Sequence, residues 1–474
     1  MRFIFFVCIY VICLVPVSAK KISFTVDFGQ FAGTDNKTRV EMYYGYPDTT
    51  VEYSVQNNEY IGRLKVHARI EYVDGTIADD NTWLLENRSR KPILTHEVNL
   101  YGQRVYFLEP GQYKVSLTIT DPLDTTTKAY RSIPLLVRRF GKPYIEISDL
   151  QLSNGISLID KNAPNAPYAK HNLNVLPNPL QEVVGTEPVV HCYSEIYNAQ
   201  KYTGDTVAAF SYKIFDGARR IVAAKDYTRL ITGDTMIETV SLGVKGLPSG
   251  VYYLQFSLQS YKNENDIAYS TKKVYVLNPA MPPRMAAPYT DDELFAMSEW
   301  ATMGDEMIKN EYEKAVYIAT KVETELFHEL MDTKAKQKFM YRFWSTRDPD
   351  KETPENERLV QYRRAIRYAN INYSNPRIKE GWRTDMGRVL CKYGFPTTID
   401  RGNVVAESKA YQTWYFDRTQ GGVTFNFVDT QNINNYILVH STAINEMRNE
   451  KWMDEYVNKR NNTEQENSQN NNRR

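Results

Sequence analysis

The sequence predicts a multidomain chain: two all-β sandwiches in tandem, then an α+β domain made of a helical arm and a small antiparallel sheet. Three observations carry that prediction. From Lys21 to Leu277 apolar and polar residues alternate in short runs punctuated by Gly, Pro and Asp, the period of half-buried strands. The stretch Leu108–Leu117 has an echo in Leu247–Phe256, one domain length further on. From Thr290 to Tyr373 the apolar spacing changes to three and four, the period of helices. The length of 474 residues, at about 150 per domain, also leads to about three domains.

The chain opens with Arg2 and an apolar run from Phe3 to Val17, closed by the small-residue cleavage pattern Val17-Ser18-Ala19. Residues 1–19 therefore read as a secretory signal peptide, too short for a membrane span. Tyr10-Val11-Ile12 lacks the small residue expected beside a lipidated Cys13, so cleavage before Lys20 and export are expected. No later stretch is apolar enough to span a bilayer, so no transmembrane segment is expected after cleavage. Cys8 and Cys13 leave with the signal. Cys192 and Cys391 fall in different predicted domains and are expected to be buried free thiols, although an oxidising compartment would permit a disulfide. A formal net charge of +1 lacks the concentrated basic surface that nucleic acid or an anionic membrane requires, so neither is an expected partner.

Residues 20–140 form the first sandwich. Ile22–Val26, Arg39–Tyr43 and Leu64–Ile70 alternate as strands with one buried face, with turns at Tyr72-Val73-Asp74-Gly75 and Glu109-Pro110-Gly111. Residues 141–278 form the second. In each half of the echo a Leu, a turn Gly and a Tyr (Tyr113, Tyr252) precede alternating apolar positions. This is the pattern of a tyrosine corner, whose hydroxyl bonds back to the backbone upstream, and it makes both sandwiches immunoglobulin-like. The stretch from Asn162-Ala163-Pro164 to Asn178-Pro179 reads as a long loop, either a connector on the surface or a binding loop.

Asn278 to Pro283 is a linker, and residues 285–458 form the α+β domain. Thr290-Asp291-Asp292-Glu293 is a capping box that opens a helix, with breaks expected near Gly304 and at Asp348-Pro349. The clearest helix starts at Thr353-Pro354 and lines up Leu359, Tyr362, Ile366, Ala369 and Tyr373 on one stripe. The stretch Gly381-Trp382-Arg383-Thr384-Asp385, continued to Pro396, packs a turn, a helix start and a helix stop. Gly381 would supply a positive φ, Thr384 or Asp385 the N-cap, and Gly394 a left-handed C-cap. Gly387 and Val389 keep a strand open as the alternative. Beyond it, Gln412–Phe416, Val423–Val428 and Tyr436–Val439 fit a three-stranded meander with turns at Gly421-Gly422 and Asp429–Asn435. A last helix is expected over Ala443 to Val457, and residues 459–474 read as a disordered polar tail.

This last third of the chain resembles the GWxTD-domain family, a bacterial family named for the pentapeptide at 381–385. The resemblance rests on several separated motifs in register. Phe343–Pro349, Asn356-Glu357 and Arg364–Asn370 stand upstream, and Trp414–Phe416, Phe425–Asp429 and Leu438–Ser441 downstream. It implies an exported bacterial protein and assigns no activity.

The six histidines, His67, His96, His171, His191, His328 and His440, are scattered. Without HExxH, CxxC, a His pair at helical spacing or a Walker loop, no metal site and no cofactor are expected. His440-Ser441 with Asp385 or Asp429 is the candidate nucleophile set, but neighbours on a strand point to opposite faces, which opposes a bond between them. Cys391 with His440, and Asp348 with Asp385, are further conceivable pairs.

The densest polar cluster is Trp344, Arg347, Asp348, Arg364, Trp382, Arg383, Asp385 and Arg388, with Tyr368 interleaved. Together with His440 these are the candidate binding residues. As a site they would grip a carboxylate, a glycan or a peptide end. As structure they would form an Arg–Asp network that pins helices to the turn while the Trp side chains fill the core, and this accounts for them better. The chain is thus expected to be a non-catalytic exported protein of the envelope or cell surface, serving interaction or assembly. The sandwiches would be spacers and the α+β domain the interaction head, with an envelope or surface protein as partner and a glycan second. The rival is a hydrolase or glycan-binding protein using Asp385, His440 and the Arg cluster.

Overall fold

The computed structural model describes residues 22–90, 98–124, 128–159, 167–203, 206–260, 267–281, 290–351, 353, 355–402 and 409–458. The expected signal peptide, the loop from 162 to 166, the Pro end of the linker, Pro354 and the polar tail lie outside the described residues, as does His96. The chain divides into two compact units between residues 286 and 287.

The first unit is built wholly around sheets. β1 (Thr25–Ala32) and β2 (Thr38–Pro47) pair as a hairpin, and β3 (Tyr53–Gln56) folds onto β4 (Glu59–Tyr72). A turn at Gly75, whose φ of 88° explains the glycine, leads to β5 (Ile77–Ser89). β6 (Asn99–Leu108) lies on β2, β7 (Gly111–Thr120) on β4, and β8 (Lys128–Val137) on β7. The three-stranded sheet β1-β2-β6 and the sheet centred on β4 share one core. Val40, Met42 and Tyr44 enter it from the first, and Leu64, Val66 and Val115 from the second. Alternate residues of each strand point inward, so the period of two seen in the sequence becomes this core.

The remaining strands repeat the plan. β9 (Glu146–Ile147), β10 (Gln151–Leu158), β11 (Ala169–Lys170), β12 (Leu173–Pro177), β13 (Glu182–Val184) and β14 (Val189–Tyr197) are followed by a helical turn, α1 (Ala199–Thr203). Then come β15 (Val207–Asp216), β16 (Ile221–Leu230), β17 (Thr235–Gly243), β18 (Gly250–Ser260) and β19 (Ile267–Leu277). They form sheets in the orders β11-β12-β10-β14-β17 and β13-β19-β18-β15-β16, with β9 beside β14. Cys192, Phe210, Tyr212, Leu254 and Phe256 fill the core they share. The two echoed tyrosines both bond back to the chain. Tyr113 Oη donates to Glu109 O at 2.8 Å and Tyr252 Oη to Pro248 O at 2.9 Å, four residues upstream in each case.

The stretch expected to be loop up to Asn178-Pro179 contains β11 and β12, and Lys170 and Val175 on them are buried. Its Pro and Asn content hid a local pairing, with β12 between its neighbours β11 and β10. Val175, Phe31 of β1 and Tyr193 of β14 make a small separate core between the two halves of this unit. Polar contacts cross beside it. Ala32 N donates to Tyr197 Oη at 2.9 Å, Gln30 N to Asp149 Oδ2 at 3.0 Å, and Lys272 Nζ lies 2.6 Å from Asp27 Oδ1.

The second unit begins with helices: α2 (Asp291–Met297), α3 (Asp305–Ala315), α4 (Lys321–Glu329), α5 (Thr333–Ser345), α6 (Glu357–Asn372) and α7 (Asp385–Tyr393). The capping box at Thr290 and Glu293 forms as read, and a second at Thr320 and Glu323 opens α4. α6 is capped by Asn356, not Thr353, because the Asn356 carboxamide accepts the Leu359 N–H. An antiparallel sheet follows in simple order: β20 (Thr398–Arg401), β21 (Tyr411–Phe416), β22 (Val423–Asp429) and β23 (Tyr436–Ser441). It has four strands where three were expected. Trp344, Tyr362, Trp382, Val389, Trp414 and Phe427 belong to the core between helices and sheet. The expected closing helix shrinks to a π-helical turn, Met453–Val457. Asn445 takes a positive φ of 63°, and the Ser441 and His440 side chains capture the N–H groups of Ala443 and Asn449. Those contacts compete with helix formation.

Candidate functional site

The GWRTD stretch is a joint between α6, α7 and β23. Gly381 has an ordinary negative φ, so the expected positive φ is not its reason. A Cβ there would sit 1.9 Å from Ala369 O of α6, and one on Gly387 would sit 2.0 Å from Gly381 O. Both glycines are required because three backbone segments meet with no room for a methyl group. Trp382 is 1% exposed and plugs the core; its backbone N–H donates to Asn370 Oδ1 and its indole Nε1 to Glu380 Oε1, both at 3.3 Å. Thr384 is the N-cap of α7: its Oγ1 donates to Gly381 O at 2.7 Å and accepts from Gly387 N at 3.0 Å. Asp385 does not cap. Its Oδ2 accepts the Leu438 N–H at 2.8 Å, which ties the start of α7 to β23. Gly394, at a φ of 84°, closes the helix.

Arg347, Arg383 and Arg388 find glutamates rather than the neighbouring aspartates. Arg383 pairs with Glu380 at 2.6 Å and Glu313 at 2.7 Å, while its guanidinium lies 4.1 Å over the Trp382 ring. Arg347 reaches Glu323 at 2.7 Å, donates to Phe343 O and Ile318 O, and stacks 3.6 Å over Phe343. Arg388 binds Glu446 through both nitrogens, at 3.1 and 2.8 Å, and Lys392 and Tyr393 donate to the same carboxylate. Burial alone would raise the Glu446 carboxyl, but these donors outweigh it and hold the group down at about 2. Arg364 is half-buried on α6, and Asp348 Oδ1 accepts the Asp350 N–H at 3.3 Å. Trp344 is buried against Phe343 and Tyr362, and its Nε1 has no hydrogen-bond partner.

The candidate nucleophile set is not joined. His440 is buried and its Nδ1 accepts the Asn449 N–H at 3.0 Å. Ser441 Oγ donates to Thr424 O at 2.8 Å, and Asp429 accepts from Ile433 N and Asn434 N to close the turn before β23. Among the described residues no hydrogen bond links Asp385, Asp429, His440, Ser441 or Cys391 to one another. Cys391 is a buried free thiol whose pKa burial pushes up to about 12, as burial also raises that of Cys192. Among the described residues no group of three or more His, Cys, Asp or Glu side chains is placed to hold a metal ion, and no helix is long and apolar enough to cross a membrane.

Beside the joint lies a small open cleft, which the sequence did not reveal. Asn372, Tyr373, Thr384, Met386, Gln412, Asn434, Asn435 and Tyr436 line it, with no carboxylate and no cation among them. Its amides are half used. Asn372 Nδ2 donates to Tyr368 O, Gln412 Oε1 accepts from Trp414 Nε1, and Asn435 Oδ1 accepts from Asn375 Nδ2. The other end of each makes no hydrogen bond among the described residues, so the lining is polar and uncharged. In sequence Tyr373 belongs to a helix stripe, Thr384 to a cap, Gln412 and Tyr436 to strands and Asn434 and Asn435 to a turn, and only the fold lines them up on one wall.

These features define the class: a unit of paired β-sheets and a second unit whose α+β core closes around a Gly-Trp-Arg-Thr-Asp joint. Residues 304–461 match the family model of the GWxTD domain, so this part of the chain is a GWxTD domain. No curated protein matches the chain. Among solved structures, a DUF3823 family protein from Bacteroides ovatus is 12% identical over 48% of this chain and 96% of its own, with a TM-score of 0.18. A Bacteroides uniformis β-glucuronidase is 10% identical over 50% of this chain and 26% of its own (TM-score 0.21). Dimeric latent PorU from Porphyromonas gingivalis is 12% identical over 54% and 20% (TM-score 0.21). The chain thus spans 26% and 20% of the last two, and likenesses this distant carry no argument about function.

Proposed function

We propose that this is an exported, non-catalytic interaction or assembly protein of the bacterial envelope or cell surface. Two immunoglobulin-like sandwiches act as the spacer, and the GWxTD domain is the interaction head. The supporting observation is how the signature spends its groups. Gly381 and Gly387 make room, Trp382 fills the core, Thr384 caps and Asp385 holds a strand, so the signature serves architecture. A protein of the envelope is the favoured partner. The cleft lined by amides and tyrosines favours a second reading, a glycan-binding head. In the hydrolase alternative Asp385 and His440 would do chemistry, yet each already accepts a backbone N–H.

The immobilised chain lacking residues 1–19 is offered envelope extract and, separately, a glycan array. Capture of one defined envelope protein that persists in Asn435→Ala supports the first reading. Saturable glycan binding lost in Asn435→Ala supports the second. Turnover of an ester, peptide or glycoside that Asp385→Asn abolishes overturns the non-catalytic reading.

A further inference from the structure

One lysine of the first unit is buried against a carboxylate, a carboxamide and a phenol. Lys170, on β11, is 7% exposed. Its Nζ lies 2.6 Å from Glu41 Oε2, 2.5 Å from Gln151 Oε1 and 3.1 Å from Tyr43 Oη. The rings of Phe31, Tyr193 and Tyr43 surround it at 4.0, 4.9 and 5.5 Å. Gln151 is 1% exposed, and its Nε2 is buried with no hydrogen-bond partner. The carboxamide is thus held by its oxygen against a lysine while its nitrogen is left without an acceptor. The other charges nearby are paired: Arg39 with Glu41 and Glu195, and Glu195 with the Tyr193 and Tyr197 hydroxyls and His171.

We propose that Lys170 and Gln151 form an intramolecular amide cross-link that the protein makes itself, with Glu41 as the acid–base group. The neutral Lys170 amine attacks Gln151 Cδ, the Nζ–Cδ bond forms and the Cδ–Nε2 bond breaks. Glu41 takes the proton that Nζ sheds and delivers it to Nε2, which leaves as ammonia. No oxidant, reductant or cofactor enters the balance. Burial lowers the pKa of Lys170 to about 8, against the raising effect of Glu41, which favours the neutral nucleophile. Release of ammonia also removes the orphaned donors of Gln151, whose burial is unfavourable.

The geometry gives the link a purpose. β11 is the edge of its sheet, and the bond fastens it across β12 to β10. Glu41 comes from β2 of the other sheet pair, so the reaction proceeds only when the two halves of the unit have docked.

The test is the mass of the folded chain and of its proteolytic peptides. The expected intact mass is one ammonia, about 17 Da, below that of the sequence. The peptides holding Lys170 and Gln151 are then found only joined to each other. Glu41→Gln, which keeps the side chain's shape, is expected to leave the two peptides separate. A folded wild-type chain of full mass with separate peptides overturns the proposal, whatever the variant does. A folded Glu41→Gln chain that still joins them overturns the role given to Glu41.

Discussion

At the scale of single residues, Gly381 and Gly387 are there for contact. In an open helix Gly→Ala stabilises by up to about 1 kcal/mol, because alanine is the better helix former. Gly387→Ala is expected to do the reverse, with a loss of roughly 3 kcal/mol or more, since its Cβ would fall 2.0 Å from a backbone oxygen that cannot move aside. Thermal melts of the second unit give the sign directly. Trp382→Ala should cost roughly 3–5 kcal/mol, the range for emptying a buried aromatic site. Asp385→Ala should cost roughly 1–3 kcal/mol by stranding the buried Leu438 N–H. Asp385→Asn keeps an acceptor in place and should cost less. A Trp382→Ala protein that melts like the parent would sink the architectural account of the signature.

At the scale of elements, the tyrosine corners and the Glu446 tie are the testable joints. Tyr113→Phe and Tyr252→Phe each lose one hydroxyl bond to the backbone and should each cost about 1 kcal/mol in the melt of the first unit. Glu446 fixes the segment after β23 to Arg388, Lys392 and Tyr393 of α7. Its folded pKa of about 2 lies below the ordinary carboxyl range. Its stabilisation is therefore present in full above about pH 4.5 and is lost as pH falls through the folded value, roughly 1–3 kcal/mol in all. The gap in melting temperature between the parent and Glu446→Gln should be constant from pH 7 to 5 and close toward pH 2.

These examples also show what sequence could and could not tell. Tyr113, Tyr252 and the Thr290–Glu293 box act within four residues, so their patterns were legible. The arginine partners were not. Arg347 and Arg383 stand beside aspartates in the chain, but the fold delivers Glu323 and Glu313 from other helices. β20 escaped notice because it is a short edge strand with one apolar residue, Ile399. Ala443 to Val457 misled because apolar spacing says nothing about side chains that take the N–H groups a helix would need.

At the scale of the whole molecule, the division near residue 286 predicts that a fragment from residue 287 onward melts cooperatively on its own. A molten fragment, with secondary structure but no sharp transition, would refute that. Inside the first unit the joint between its halves imposes an order of events. Arg39 and Glu41 leave the ribosome long before Lys170 and Glu195, which complete their pairing. Until then the waiting face of β2 carries hydrated charge, and a wetted face does not recruit stray chains as a bare apolar one does. Stripping that water is worthwhile only when all the partners arrive together in register. The joint thus ties its burial to the arrival of both halves, since its charges on β2 find their partners only on strands made later.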